Sequence, residues 1–136
     1  MRTDARLPAW LLTGLLGAGG VIHFAVPGPY DGLIPSFLPG SPRVWTYGSG
    51  VLELAIGAAV AHPTTRRRGA QAAALLFVAV FPANIKMAID WSDRSLPAQA
   101  IAYARLPLQV PLVLWALSVA RTAGRHEQRE QRQLRR

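Results

Sequence analysis

Residues 7–26 read LPAWLLTGLLGAGGVIHFAV, twenty positions without a formal charge. A helix needs about 20 mainly apolar residues to cross a hydrocarbon core ~30 Å thick, and this stretch supplies them. Leu, Ala and Gly dominate with no strict alternation, and the run is too long for an ordinary strand. It follows a short basic segment, as a secretory leader does. Its apolar run exceeds the usual core of such a leader and no clean small-residue cleavage site follows, so it is expected to stay as a helix.

Three similar stretches lie downstream. Residues 44–61 carry only Glu53, residues 69–85 carry no charge, and residues 96–120 carry only Arg105. Lipid requires each crossing segment to satisfy its own backbone groups, which favours helices. The expected fold is all-α: a four-helix transmembrane bundle with spans at about 8–26, 44–62, 69–89 and 97–120. Residues 1–121 would form this domain and residues 122–136 a basic tail. Hydrophobic residues make up 51% of the 136-residue chain and charged residues only 16%. That balance suits the membrane reading better than a soluble domain. No cysteine is present, which excludes disulfides, cysteine-ligated zinc and iron–sulfur clusters.

The net charge of +8 raises nucleic acid as a partner, and its distribution answers the question. Arg2, Arg6, Arg66, Arg67, Arg68, Arg121, Arg125, Arg129, Arg132, Arg135 and Arg136 fall on one side of the four spans. Arg43 and Arg94 lie on the other, beside Asp31, Asp90 and Asp93. The positive-inside rule then puts both termini in the cytoplasm of a cell whose plasma membrane the chain crosses. Trp10 falls at the inner interface and Trp45 and Trp91 at the outer one, as aromatic belts require. The tail lacks interleaved aromatics, so anionic lipid at the cytoplasmic face is the expected partner and nucleic acid is not.

The loop of residues 27–42, PGPYDGLIPSFLPGSP, holds five prolines around an apolar centre. Prolines argue against regular helix here, and the apolar residues argue against a freely solvated linker. The expectation is a stiff cap on the outer end, serving either to limit access or only to anchor the loop.

Polar residues inside the spans define the candidate site, since ionisable groups in lipid are costly. They are His23, Glu53, Asn84, Arg105 and Gln109, with Lys86 placed to snorkel outward. At about 1.5 Å rise per residue, His23 and Asn84 lie roughly 22 Å from the inner face. Glu53 and Arg105 lie about 14 Å below the outer face. Equal depth predicts a Glu53–Arg105 ion pair, because an unpaired charge there costs around 3 kcal/mol. Such a pair would either fix the second helix against the fourth or present a carboxylate able to move a proton or bind a polar head. His23 lacks the companions a metal or haem site needs, so no metal is expected. Pro82 frees the carbonyl of residue 78 and kinks the third helix before Asn84. Arg105 and Gln109, four apart, share a face. Gly14, Gly17 and Gly20, and Gly50 and Gly57 around Glu53, are read as close-packing positions.

Ordered motifs over residues 14–118 resemble the DoxX-like family of small bacterial membrane proteins. They are Gly20-Val-Ile-His23-Phe24 with Pro27, Ile34-Pro-Ser-Phe-Leu-Pro39, and Ser49-Gly-Val-Leu-Glu53 followed by Gly57. Arg67-Arg68, Val80-Phe-Pro-Ala-Asn-Ile-Lys-Met87 and Arg105-Leu-Pro-Leu-Gln109 complete the set. The resemblance implies a four-helix membrane bundle in a redox-associated system, with some relatives acting as quinone-linked oxidoreductase subunits or as membrane partners of antioxidant and sulfur-transfer proteins. A cysteine-free chain has no thiol of its own for such a role. The leading expectation is an accessory protein, not an enzyme, whose outer-half polar pocket takes a quinone or another lipophilic small molecule and which meets a redox protein partner. Two alternatives stand beside it. One is a membrane enzyme moving protons on a hydrophobic substrate, by analogy with isomerases of the emopamil-binding type. The other is a structural membrane protein whose polar cluster holds the helices together.

Overall fold

Prolines set most of the helix starts. In the computed structural model, which describes residues 6–135, proline occupies the first or second position of five of the six helices. There its missing N–H costs nothing and its fixed φ is already helical. The helices are α1 (Leu7–Ala25), α2 (Pro27–Asp31), α3 (Pro42–Ala61), α4 (Arg66–Ala79), α5 (Phe81–Asp90) and α6 (Leu96–Leu134). Arg2 and Arg136, counted above on the basic side, lie outside the described residues.

Four helical stretches are long and apolar enough to cross a membrane: α1, α3, α4 continued by α5, and α6. The molecule is an all-helical bundle of membrane-spanning helices with the Pro-rich loop between the first two. Large apolar side chains such as Leu15, Val51, Leu75 and Val110 are exposed on the bundle's outer surface, where lipid rather than protein would cover them.

α1 packs chiefly on α3, α3 on α4 and α4 on α6, while α1 touches α6 to close the ring. Ala9, Leu12 and Leu16 of α1 meet Ile56 and Val60 of α3, several α4 alanines, and Ala116, Val119 and Ala120 of α6. All of these lie toward the arginine-rich end, which is therefore the apolar, tightly packed half. The turn joining α3 to α4 is close: a Cβ on Gly69 would stand 2.7 Å from the backbone of Ala59 and Val60. The side chain of Arg66 closes the end of α3, its Nε donating to Val60 O at 2.9 Å and its Nη2 to Ala61 O at 2.8 Å. Those are terminal carbonyls that the helix leaves without partners, and a guanidinium suits the negative end of its dipole. Sequence alone shows Arg66 only as part of a basic run.

Three expectations need correction. Residues 27–31 do form a short helix, α2, because Pro27 and Pro29 sit in its first turn, where no backbone N–H is needed. Gly14 and Gly17 are not packing positions, since a Cβ on either would meet nothing within 4 Å. Gly20 does pack: its Cβ would lie 2.9 Å from Gly50 O and 2.7 Å from Leu54 Cγ. α1 and α3 therefore cross at Gly20 and Gly50, where small residues let the backbones approach. Finally, the break before Pro82 separates α4 from α5 at Val80, and the carbonyl taken up from outside is that of Phe77, to which Gln109 Nε2 of α6 donates. Gln109 thus secures the break rather than lining a pocket.

Candidate functional site in the outer half of the bundle

The half of the bundle that carries the Pro-rich cap, called outer only for its distance from the arginine-rich end, differs from the other half in what it buries. Here the buried residues include His23, Thr46, Asn84 and Gln109 among few apolar ones. α5 packs on α6, and α1 packs on α3, so the polar groups fall into two sets carried by two helix pairs.

The first set is built on the α1–α3 crossing. His23 Nδ1 lies 2.7 Å from Gly19 O, one helical turn earlier. A carbonyl only accepts, so Nδ1 carries a proton and donates it to Gly19 O. Glu53 Oε2 stands 3.7 Å from the same Nδ1. That is an ion-pair distance rather than a hydrogen bond. The carboxylate lies against the bare Cα of Gly19, where a Cβ would collide with Glu53 Oε2. Tyr30 of α2 covers the imidazole, ring centroids 4.1 Å apart.

The second set joins α5 to α6. Arg105 Nε donates to Asn84 Oδ1 at 3.0 Å. Asn84 is only 2% exposed, and its Nδ2 has no hydrogen-bond partner among the described residues. A buried amide N–H without an acceptor costs roughly 1–3 kcal/mol, and such an exception calls for an explanation. Arg105 is exposed on the chain's surface, and its remaining guanidinium N–H groups make no hydrogen bond among the described residues.

The expected Glu53–Arg105 ion pair is absent among the described residues; Glu53 has His23 as its ionic neighbour and Arg105 has Asn84 as its hydrogen-bond partner. The reason is position around the ring. α3 and α6 sit diagonally, separated by α1 and α4, so equal depth brings no contact. Arg105 still lies within electrostatic reach of Glu53. The five candidate residues therefore resolve into His23 with Glu53, Asn84 with Arg105, and Gln109 at the helix break.

The cap is tied to both pairs. Thr46 Oγ1 donates to Asp31 Oδ1 at 2.7 Å and Arg43 Nε to Asp31 Oδ2 at 2.8 Å. Trp45 Nε1 donates to Pro39 O at 2.7 Å. Lys86 on α5 reaches outward, as expected, and finds Gly32 O at 3.0 Å and the carboxylate of Asp90. An apolar groove of about 350 Å³ runs between Pro35 and Phe37 of the loop and Pro82, Ile85 and Ile89 of α5. Sequence reasoning missed Tyr30, Thr46 and Asp31. Asp31 registered there only as an outer charge, and nothing in its spacing points to Thr46 fifteen residues on.

Residues 12–120 match a family described as a domain of unknown function, DUF8561. The chain belongs to that family. The match begins five residues into α1, ends within α6 and takes in every candidate site residue, so the polar cluster falls within the family's domain. Comparison with curated proteins and with solved structures gives no match.

Proposed function

We propose that this DUF8561 protein is an accessory component of a redox-associated membrane system that holds a quinone or a related lipophilic carbonyl compound between its two helix pairs. The observation that carries the reading is Asn84 Nδ2, a buried donor with no acceptor, beside the uncommitted N–H groups of Arg105. Two donors side by side in an apolar slab suit a carbonyl oxygen, which accepts two hydrogen bonds and brings no charge into lipid. The resemblance to DoxX-like proteins supports the same class of partner, a redox protein at the membrane. The arginine distribution supports a plasma-membrane protein with both termini in the cytoplasm.

The test separates ligand binding from folding. Asn84→Asp keeps the oxygen that Arg105 needs and removes the Nδ2 donor. A short-chain quinone titrated into the protein in nanodiscs, followed by tryptophan fluorescence, should bind the Asn84→Asp variant about tenfold more weakly, the value of one hydrogen bond. Its thermal midpoint should not fall below that of the parent, since the substitution removes an unsatisfied donor and keeps the acceptor for Arg105. Equal quinone affinity in the two proteins, or no saturable binding by the parent, would rule the reading out.

A second reading rests on His23 and Glu53. The Glu53 carboxylate lies 3.7 Å from the His23 imidazole. In an apolar surrounding the two form an acid–base pair able to move a proton on a hydrophobic substrate. Turnover retained in a His23→Gln, Glu53→Gln double variant would exclude it.

A further inference from the structure

The opposite, arginine-rich end carries a groove that neither reading uses. It measures about 360 Å³ and lies between the start of α4 and the stretch of α6 that leaves the apolar region. Arg67, Arg121 and Arg125 supply its charge, and Leu117, Ala120 and Gly124 its floor. We propose that this groove binds the phosphate headgroup of an anionic phospholipid, with the acyl chains running along the apolar surface of α4 and α6.

Two further observations show that Arg67 is positioned there by the fold. Glycine inside a helix costs stability relative to alanine. Gly124 nevertheless sits buried within the 39-residue α6. Its lack of a side chain lets Arg67 lie across it: a Cβ would meet Arg67 Nε at 3.2 Å and Cζ at 3.4 Å. Arg67 Nη1 is also held by Glu127 Oε2 at 3.6 Å, so one carboxylate stands at the edge of the groove. Arg121 Nε turns back to Leu117 O at 3.3 Å, and neither Arg121 nor Arg125 forms an ion pair among the described residues. Three guanidinium groups against one carboxylate leave the groove positive. Guanidinium forks match phosphate oxygens two at a time, and basic pockets between helices at this membrane level suit phosphate headgroups. The apolar floor argues for a lipid rather than a free phosphate, because it continues into the bilayer-facing surface.

Native mass spectrometry of the full chain, released from nanodiscs of equal phosphatidylglycerol and phosphatidylcholine, tests this. One phosphatidylglycerol should be retained over phosphatidylcholine by at least about fivefold. Arg67→Gln with Arg121→Gln should abolish the preference, while Arg129→Gln with Arg132→Gln, which removes the same charge farther along the tail, should leave it unchanged. Arg67→Lys with Arg121→Lys keeps the charge and loses the forks, and should lower the preference. Excess glycerol phosphate should not displace the lipid. The proposal is overturned by equal losses in the two glutamine double variants, by full preference in the lysine variant, or by displacement with glycerol phosphate.

Discussion

Asp31 receives a hydrogen bond from Thr46 and another, with opposite charge, from Arg43. The hydrogen bond from the Thr46 hydroxyl is the largest single cause, and with the hydrogen bond and charge of Arg43 it holds the carboxyl below its ordinary value of 3.8 against the opposing effect of partial burial. The unfolded chain therefore binds this proton more readily than the folded one. Stability from Asp31 is present in full above its unfolded value and disappears as the pH falls through the lower folded one. Thermal unfolding in detergent should show a loss of midpoint as the pH falls below the ordinary carboxylate range, and the loss should be smaller in Asp31→Asn. Thr46→Val and Arg43→Gln should each flatten the same profile. An Asp31→Asn profile identical to the parent's would mean the cap contributes nothing through this group.

Among the elements, the α1–α3 crossing is where single atoms matter most. A Cβ on Gly50 would stand 2.8 Å from Phe24 and 2.9 Å from His23 Cβ, so Gly50→Ala forces the helices apart. Overpacking of this kind costs about 1–3 kcal/mol. Because His23 and Glu53 face each other across the same crossing, the variant should also separate that pair. Gly14 and Gly17 meet open space. Alanine at either should be neutral or raise stability by about 0.5–1 kcal/mol. A chemical-denaturation series on the three variants checks this; equal effects at all three positions would contradict the crossing. These glycines also show what a sequence can and cannot tell. Their spacing marks a small-residue stripe, but only contact with a partner separates Gly20 from Gly14. Counting along a helix gives depth, because every helix crosses the same slab, and depth alone is what paired Glu53 with Arg105. Azimuth is not legible, since each residue turns the helix by about 100° and the neighbour is chosen by packing. Hence the ion pair expected across α3 and α6 gives way to His23–Glu53 and Asn84–Arg105. Gln109 is unreadable for another reason: its partner is a backbone carbonyl exposed by a helix break, and backbone groups leave no mark in the pattern of side chains.

For the whole molecule, composition and apolar run length were enough to reveal the four spans, because lipid imposes one strong and local requirement. The tie between the two outer helix pairs was not, since it runs through Lys86 to the carbonyl of Gly32, fifty-four residues away. Orientation is open to direct measurement because the chain has no cysteine to remove. Ser41→Cys, on the cap, should react with a membrane-impermeant maleimide in intact cells, and Gln128→Cys, on the far side, should react only after lysis. The reverse pattern would invert the topology and move the basic groove to the outer leaflet.

α6 runs for 39 residues. At about 1.5 Å per residue it is about 58 Å long, nearly twice the ~30 Å slab it crosses. Pro107 and Pro111 lie inside it. Each deletes a backbone hydrogen bond near the middle, leaving the carbonyls of Tyr103 and Pro107 without helical partners. The rod is therefore softest beside Arg105 and stiff beyond. From Pro111 to Leu134 is about 35 Å, so a flex of about 10° at that joint swings the free tip by about 6 Å. The same joint lies between the Arg105–Asn84 contact and the end of α6 that carries Arg121 and Arg125.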